Sequence, residues 1–99
     1  MLLEHDKVKI VVHHGGFNTL SEAIYFAKPA VVLPLSTDQQ TNAYLAAVAG
    51  AAVVLNTHTA VAHDLPKAIE HALQPAFAAS TQRLSFILRR KDAMRELSD

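Results

Sequence analysis

Three short apolar runs, Val8 to His13, Ala30 to Leu33 and Ala51 to Leu55, alternate with stretches of helical periodicity, and this alternation constrains the fold more than any other feature. Short continuous apolar runs rich in β-branched residues read as strands buried on both faces, the kind found in parallel sheets. After the first run, Leu20, Ala23, Ile24 and Ala27 recur at i, i+3, i+4 and i+7, which predicts a helix from Asn18 to Ala27 with one apolar face. Lys28-Pro29 ends it, because the residue before proline disfavours the helical region. Pro34 closes the second run. Thr37 or Asp38 can then cap a helix from about Gln39 to Ala49, and Gly50 is a natural residue just past its end.

Beyond the third run the pattern becomes helical. A polar loop from Asn56 to His63 leads to Asp64, a cap, with Pro66 in the first turn that follows. Leu65, Ala68, Ile69, Ala72 and Leu73 form the predicted buried face of that helix, and Pro75 ends it. In the last helix Phe77, Leu84, Ile87, Leu88, Met94 and Leu97 recur at helical spacing. The order β-α-β-α-β-α-α with short connections predicts an α/β fold: a three-stranded parallel sheet with right-handed crossovers. The 99 residues make one small domain at most. Three strands leave apolar edges uncovered, and Met1-Leu2-Leu3 reads like the end of an earlier helix, so residues 1–99 read as a Rossmann-like half domain.

Composition narrows the function. Apolar residues make up 51% of the chain and the formal net charge is zero, which describes a globular chain with no basic excess to neutralise nucleic-acid phosphates. Basic residues gather late (Arg83, Arg89, Arg90, Lys91, Arg95), where they read as a solvated helix face. There is no cysteine, which excludes disulfides and thiolate catalysis and fits a reducing compartment. No apolar run approaches the roughly 18 residues of a membrane span, and Met1 to Asp6 lacks the basic start of a secretory signal. The expected location is cytoplasmic.

The polar chemistry is concentrated between His13 and Asn42. His14-Gly15-Gly16-Phe17-Asn18-Thr19 lies between the first strand and the first helix, where backbone N–H groups and the helix dipole can gather around an anion. Asp38-Gln39 opens the next helix and can reach whatever is attached to that anion. A pyrophosphate carrying a hydroxyl-rich group fits this description. Taken singly, the residues have plainer readings: His14 as a polar strand end, Asn18, Thr19 and Asp38 as helix caps, Glu22 as a solvated helix position. His13 alternates to the other side of the strand and reads as packed rather than functional. Adjacent strand residues point oppositely and the remaining histidines show no ligand spacing, so no metal site is expected.

The run from His14 to Asn42 resembles the donor-binding signature of the family 1 glycosyltransferases, which have the two-domain GT-B fold. The spacing His-x-Gly-x-Asn-Thr-x-x-Glu-Ala from His14 to Ala23 matches, as does Pro-x-x-x-Asp-Gln-x-x-Asn from Pro34 to Asn42. Ala27 stands where the family usually has the glycine of Gly-x-Pro, a departure at a tight helix end. The resemblance implies diphosphate binding by His14, Gly15, Gly16, Phe17, Asn18 and Thr19, with the Phe17 ring beneath the loop. It further implies ribose binding by Glu22 and sugar binding by Asp38 and Gln39. No cofactor is implied; a UDP- or TDP-sugar would be the donor substrate.

The resemblance also implies what must come from elsewhere. The acceptor domain with its catalytic base, and the half domain that contacts the nucleobase, match nothing in this chain, so it should not turn over alone. Its expected partners are a nucleotide sugar and a missing N-terminal domain or complementary subunit, with the sheet edge open to a second copy. Two other readings remain: a GT-B-fold nucleotide-sugar epimerase fragment, disfavoured by Asp38-Gln39 and Phe17, and a noncatalytic nucleotide-binding or association module.

Overall fold

The computed structural model describes residue 3, residues 5–55 and residues 61–98. The expectations for Met1-Leu2, for the loop over 56–60 and for the Leu97 side chain fall outside what it describes. Its elements follow the predicted order: β1 (Val11–His13), α1 (Phe17–Tyr25), β2 (Ala30–Val32), α2 (Thr37–Val48), β3 (Ala52–Val54), α3 (Val61–Ala72) and α4 (Pro75–Ser98). The sheet order is β1-β2-β3, with both pairs parallel. The register sets Ala30 between Val11 and Ala52, and Val32 between His13 and Val54.

Residues paired across a parallel sheet project to the same side, so alternate positions feed two separate cores. On one side Ala30, Val32 and Ala52 join Leu20 of α1 and Ala43 and Ala46 of α2. On the other, Val31 and Leu55 meet Ala68 and Ala72 of α3, with Ile10, Leu33, Val53, Leu65 and Ile69 around them. Val31 and Val32 are completely buried, as continuous apolar runs between two helical layers require. The small side chains of α2 let it approach the sheet closely. Among the described residues no helix is long and apolar enough to cross a membrane.

The ends of the helices are built from backbone contacts. Gly50 takes φ +78°, its N–H donates to Ala47 and the Ala51 N–H donates to Ala46, the paired bonds that close a helix on a left-handed residue. Ala27 does the same for α1 at φ 57°, with bonds from Ala27 to Ile24 and from Lys28 to Ala23. The tight helix end therefore survives the replacement of glycine by alanine, at the cost of a Cβ in a region that L residues avoid.

Several boundaries differ from the sequence expectation. α3 starts at Val61, so Asp64 lies within its first turn rather than capping it, and Pro66 sits inside the helix. Leu73 lies past the end of α3 and is exposed rather than buried. α4 departs most. Ile87 and Met94 are exposed, and among the described side chains of this helix the buried ones are Thr81 and Ser85. Thr81 Oγ1 reaches the Ala27 carbonyl at 3.3 Å, and Ser85 Oγ donates to the Tyr25 carbonyl. Arg89 is not merely a solvated charge: Nε donates to the same Tyr25 carbonyl at 3.0 Å, and its guanidinium lies 4.3 Å from the Tyr25 ring centre. The last carbonyls of a helix lack intrahelical partners. Ser85 and Arg89 of α4 supply partners for the Tyr25 carbonyl, and this fastens α4 across the C-terminal end of α1.

Candidate functional site

The C-terminal ends of β1 and β2 run into two turns that touch. Gly15 is buried at the first of them, with φ +100°, a region open to glycine and strained for other residues. A Cβ there would stand 2.9 Å from Val32 Cγ1 and 3.1 Å from the Gln39 carbonyl oxygen. The glycine is thus needed for the approach of α2 as much as for any ligand. Gly16 is exposed, and a Cβ on it would meet nothing within 4 Å.

Side chains hold this pair of turns through the main chain. The Gly15 N–H donates to His13 Nδ1 at 2.9 Å, and Asn42 Nδ2 donates to the Gly15 carbonyl at 3.0 Å. His14 Nδ1 lies 3.1 Å from the Leu33 carbonyl. In the second turn the Leu35 N–H donates to Gln39 Oε1 at 2.8 Å, and the Gln39 N–H to Ser36 Oγ at 3.3 Å.

These bonds fix the two histidines in opposite tautomers. An amide N–H only donates, so His13 Nδ1 is bare and the neutral ring carries its hydrogen on Nε2. That Nε2 is buried with no hydrogen-bond partner. Burial, and secondarily the nearby His14, push the His13 pKa below the ordinary histidine value. A carbonyl only accepts, so His14 Nδ1 carries hydrogen. Its Nε2 becomes a donor only when the ring is doubly protonated; an anion held there by an Nε2–H bond would therefore face an imidazolium.

α1 begins directly on the glycine turn. Gly16 is its N-cap and no side chain caps it, so Asn18 and Thr19 are not the caps that a plain reading would make them; they lie inside the helix. The first N–H groups of α1 have no intrahelical partners, and the helix dipole adds positive potential where they point. Glu22 is exposed one turn after Asn18 on the same helix.

In α2 the cap is Ser36, not Thr37 or Asp38. Asp38 is thereby freed for other contacts and is exposed in the first turn. Gln39, with Oε1 engaged by Leu35, keeps its amide hydrogens for another partner. Phe17 departs from expectation: it is 72% exposed rather than seated beneath the loop. It lines an apolar groove of about 220 Å³ with Leu20, Ile24, Leu45 and Leu84. Among the described residues no three His, Asp or Glu side chains gather as a metal-ligand set.

His13 is packed as its place on the strand predicts, with Nε2 buried, but its bond from the Gly15 N–H and the Asn42 bond to the Gly15 carbonyl were not foreseen. Asn42 ends the Asp38-Gln39 spacing pattern, which was the available signal. The His13 bond had no such signal, because histidine is not among the residues read as turn formers.

Two glycosyltransferase structures define the class of protein this fold belongs to. The spinosyn forosaminyltransferase SpnP superposes with a TM-score of 0.82 and 28% identity, over 90% of this chain and 24% of that one. The glycosyltransferase of kitacinnamycin gives 0.77 and 32%, over 90% and 23%. The fold is the parallel α/β arrangement of GT-B glycosyltransferases. The family model described as UDP-glucoronosyl and UDP-glucosyl transferase matches residues 1–95, and the chain belongs to that family. Human UDP-glucuronosyltransferase 2A1 is 38% identical over 87 residues, and rabbit (Oryctolagus cuniculus) UDP-glucuronosyltransferase 2B13 is 40% identical over 87. The chain spans 16% of the length of each of these relatives.

Proposed function

We propose that this chain binds the diphosphate and sugar of a nucleotide sugar, a UDP- or TDP-sugar, for transfer to an acceptor hydroxyl. The observation that supports this most is the bonding of the Gly15-Gly16 turn to α2. An anion at the uncapped start of α1 would lie beside Asp38 and Gln39. In this reading Gly16, Phe17, Asn18 and Thr19 offer backbone N–H groups to the diphosphate, and His14 donates from Nε2. Glu22 accepts from ribose hydroxyls, and Asp38 and Gln39 bind hydroxyls of the sugar.

The chemistry contributed is stabilisation of the leaving diphosphate as negative charge develops on it, by donors already in position. In this reading His14 and the α1 N–H groups are the donors to the diphosphate, and no metal cofactor is invoked. No residue of this chain is assigned as the base that deprotonates the acceptor. That base and the acceptor domain would come from another domain or subunit, and the chain alone would not turn over.

Isothermal titration with UDP, TDP and their sugar conjugates tests the reading. Binding that His14→Ala weakens supports it. No binding at millimolar nucleotide, together with no effect of His14→Ala, rejects it. A second reading, an association module, is favoured by one observation: β1 is an edge strand whose Val12 is 44% exposed. Sedimentation separates the two, since a monomer that binds nucleotide leaves the association reading without support.

A further inference from the structure

We infer that His13 and Asn42 are positioning residues that fix the two peptide planes flanking Gly15 and so aim the Gly16 N–H outward, toward the place where a diphosphate would lie. The inference rests on the donor-site reading above and assigns the cause of the cradle's shape to side chains with no ligand contact of their own.

Glycine turns are conformationally permissive, so the orientation of their N–H groups has to come from outside the turn. At Gly15 both sides are held. The plane before it is fixed by the N–H bond to His13 Nδ1 at 2.9 Å, and this N–H is thereby withdrawn from any anion. The plane after it is fixed by the carbonyl bond from Asn42 Nδ2 at 3.0 Å. A trans peptide directs its C=O and N–H oppositely. With the Gly15 carbonyl turned toward Asn42 of α2, the Gly16 N–H points away from Asn42. Asn42 belongs to the same helix as Asp38 and Gln39, so one hydrogen bond also sets the span between the two halves of the site.

The His13 contact has the topology of an Asx turn, in which an Asn or Asp side chain accepts from the N–H two residues on. Nδ1 of histidine and Oδ1 of asparagine stand at the same number of bonds from the backbone. Asparagine can therefore replace the contact, whereas leucine, which fills similar space, cannot. This separates a hydrogen-bonding role from simple filling of the core.

The test uses the full chain, ¹⁵N-labelled, with UDP as ligand. His13→Leu is expected to speed Gly15 amide hydrogen exchange and weaken UDP binding by about tenfold each, the scale of one lost hydrogen bond. His13→Asn is expected to stay within about threefold of the parent chain on the same scale. Asn42→Ala should shift the Gly16 amide resonance and weaken UDP similarly while the amides of β3 and α3 keep their positions. The inference is overturned if His13→Leu binds UDP and exchanges Gly15 as the parent does, or if His13→Asn is as weak as His13→Leu. If the parent binds no UDP, the donor-site reading fails, and Gly15 exchange in the two His13 variants alone decides the clamp. Should His13→Leu not fold, Asn42→Ala decides: an unchanged Gly16 resonance with parent-like UDP binding overturns the inference.

Discussion

Ser80 of α4 occupies the space that a side chain on Gly50 would need: a Cβ there would stand 2.7 Å from Ser80 Oγ and 3.0 Å from Ser80 Cβ. Gly50 is also left-handed, at φ +78°. Two separate penalties therefore meet at one residue, conformational and steric. Gly50→Ala is expected to destabilise the chain by about 2 kcal/mol, with urea denaturation as the measurement. Adding Ser80→Gly should recover only the steric part, so the double variant should remain below the parent.

Ala27 presents the opposite case. Its Cβ sits at φ 57° in a helix end that the Ile24 and Ala23 carbonyls close. Ala27→Gly removes a strain of roughly 1–2 kcal/mol and adds chain entropy of roughly 0.5–1 kcal/mol to the unfolded state. A net gain of about 0.5 kcal/mol is expected from the same denaturation measurement, and a loss would show that the alanine methyl packs usefully.

The pH response follows from His13. Its folded-state pKa lies below the ordinary value of 6.5 because burial disfavours the charged ring. Between the folded pKa and 6.5 the unfolded chain binds more protons than the folded one, so stability rises with pH through that window. The contribution is complete above 6.5 and is lost as pH falls below it. The nearby His14 is the second cause that lowers the His13 pKa, after burial. Acidification from about pH 7.5 to about pH 5.5 should lower the melting temperature of the parent chain more than that of His13→Asn, which carries no titrating group. Equal slopes would contradict the assignment.

The cap on α2 gives a smaller effect. Ser36→Ala removes the acceptor for the Gln39 N–H and should cost about 1 kcal/mol. Thr37→Ala and Asp38→Ala should each cost less in stability, because neither residue is the cap. If Asp38→Ala proves the most destabilising of the three, the placement of the cap at Ser36 is wrong.

Much of this fold was legible because its signals are local. Three β-branched runs, the Pro29 and Pro34 stops and the glycine at residue 50 gave the element order and the end of α2. The spacing from His14 to Asn42 carries the resemblance to the family that the chain's matches show. Errors arose where a polar side chain serves the backbone. α4 was read by its apolar residues, yet Thr81 and Ser85 are the ones buried, because hydropathy gives no weight to a hydroxyl that meets a helix-terminal carbonyl. Three consecutive residues, Ser36, Thr37 and Asp38, can all cap a helix, and their order alone does not choose among them. The family resemblance implies a Phe17 ring beneath the loop, but with Gly16 as N-cap Phe17 begins the helix, and its exposed ring lines the groove that Leu45 also lines.

The bonds that shape the site and anchor α4 run from side chains to main-chain atoms: His13 to Gly15, Asn42 to Gly15, His14 to Leu33, Gln39 to Leu35, Ser85 to Tyr25. A main-chain atom is the same in every residue type except the missing N–H of proline. Mutational tolerance should therefore be one-sided across each contact. In a saturation library scored for folding, Leu33 and Leu35 should accept many replacements as far as these bonds are concerned, with proline excluded at Leu35, while Asn42 and Gln39 accept few. Pairwise covariation, which needs both partners to change together, would leave these contacts unseen.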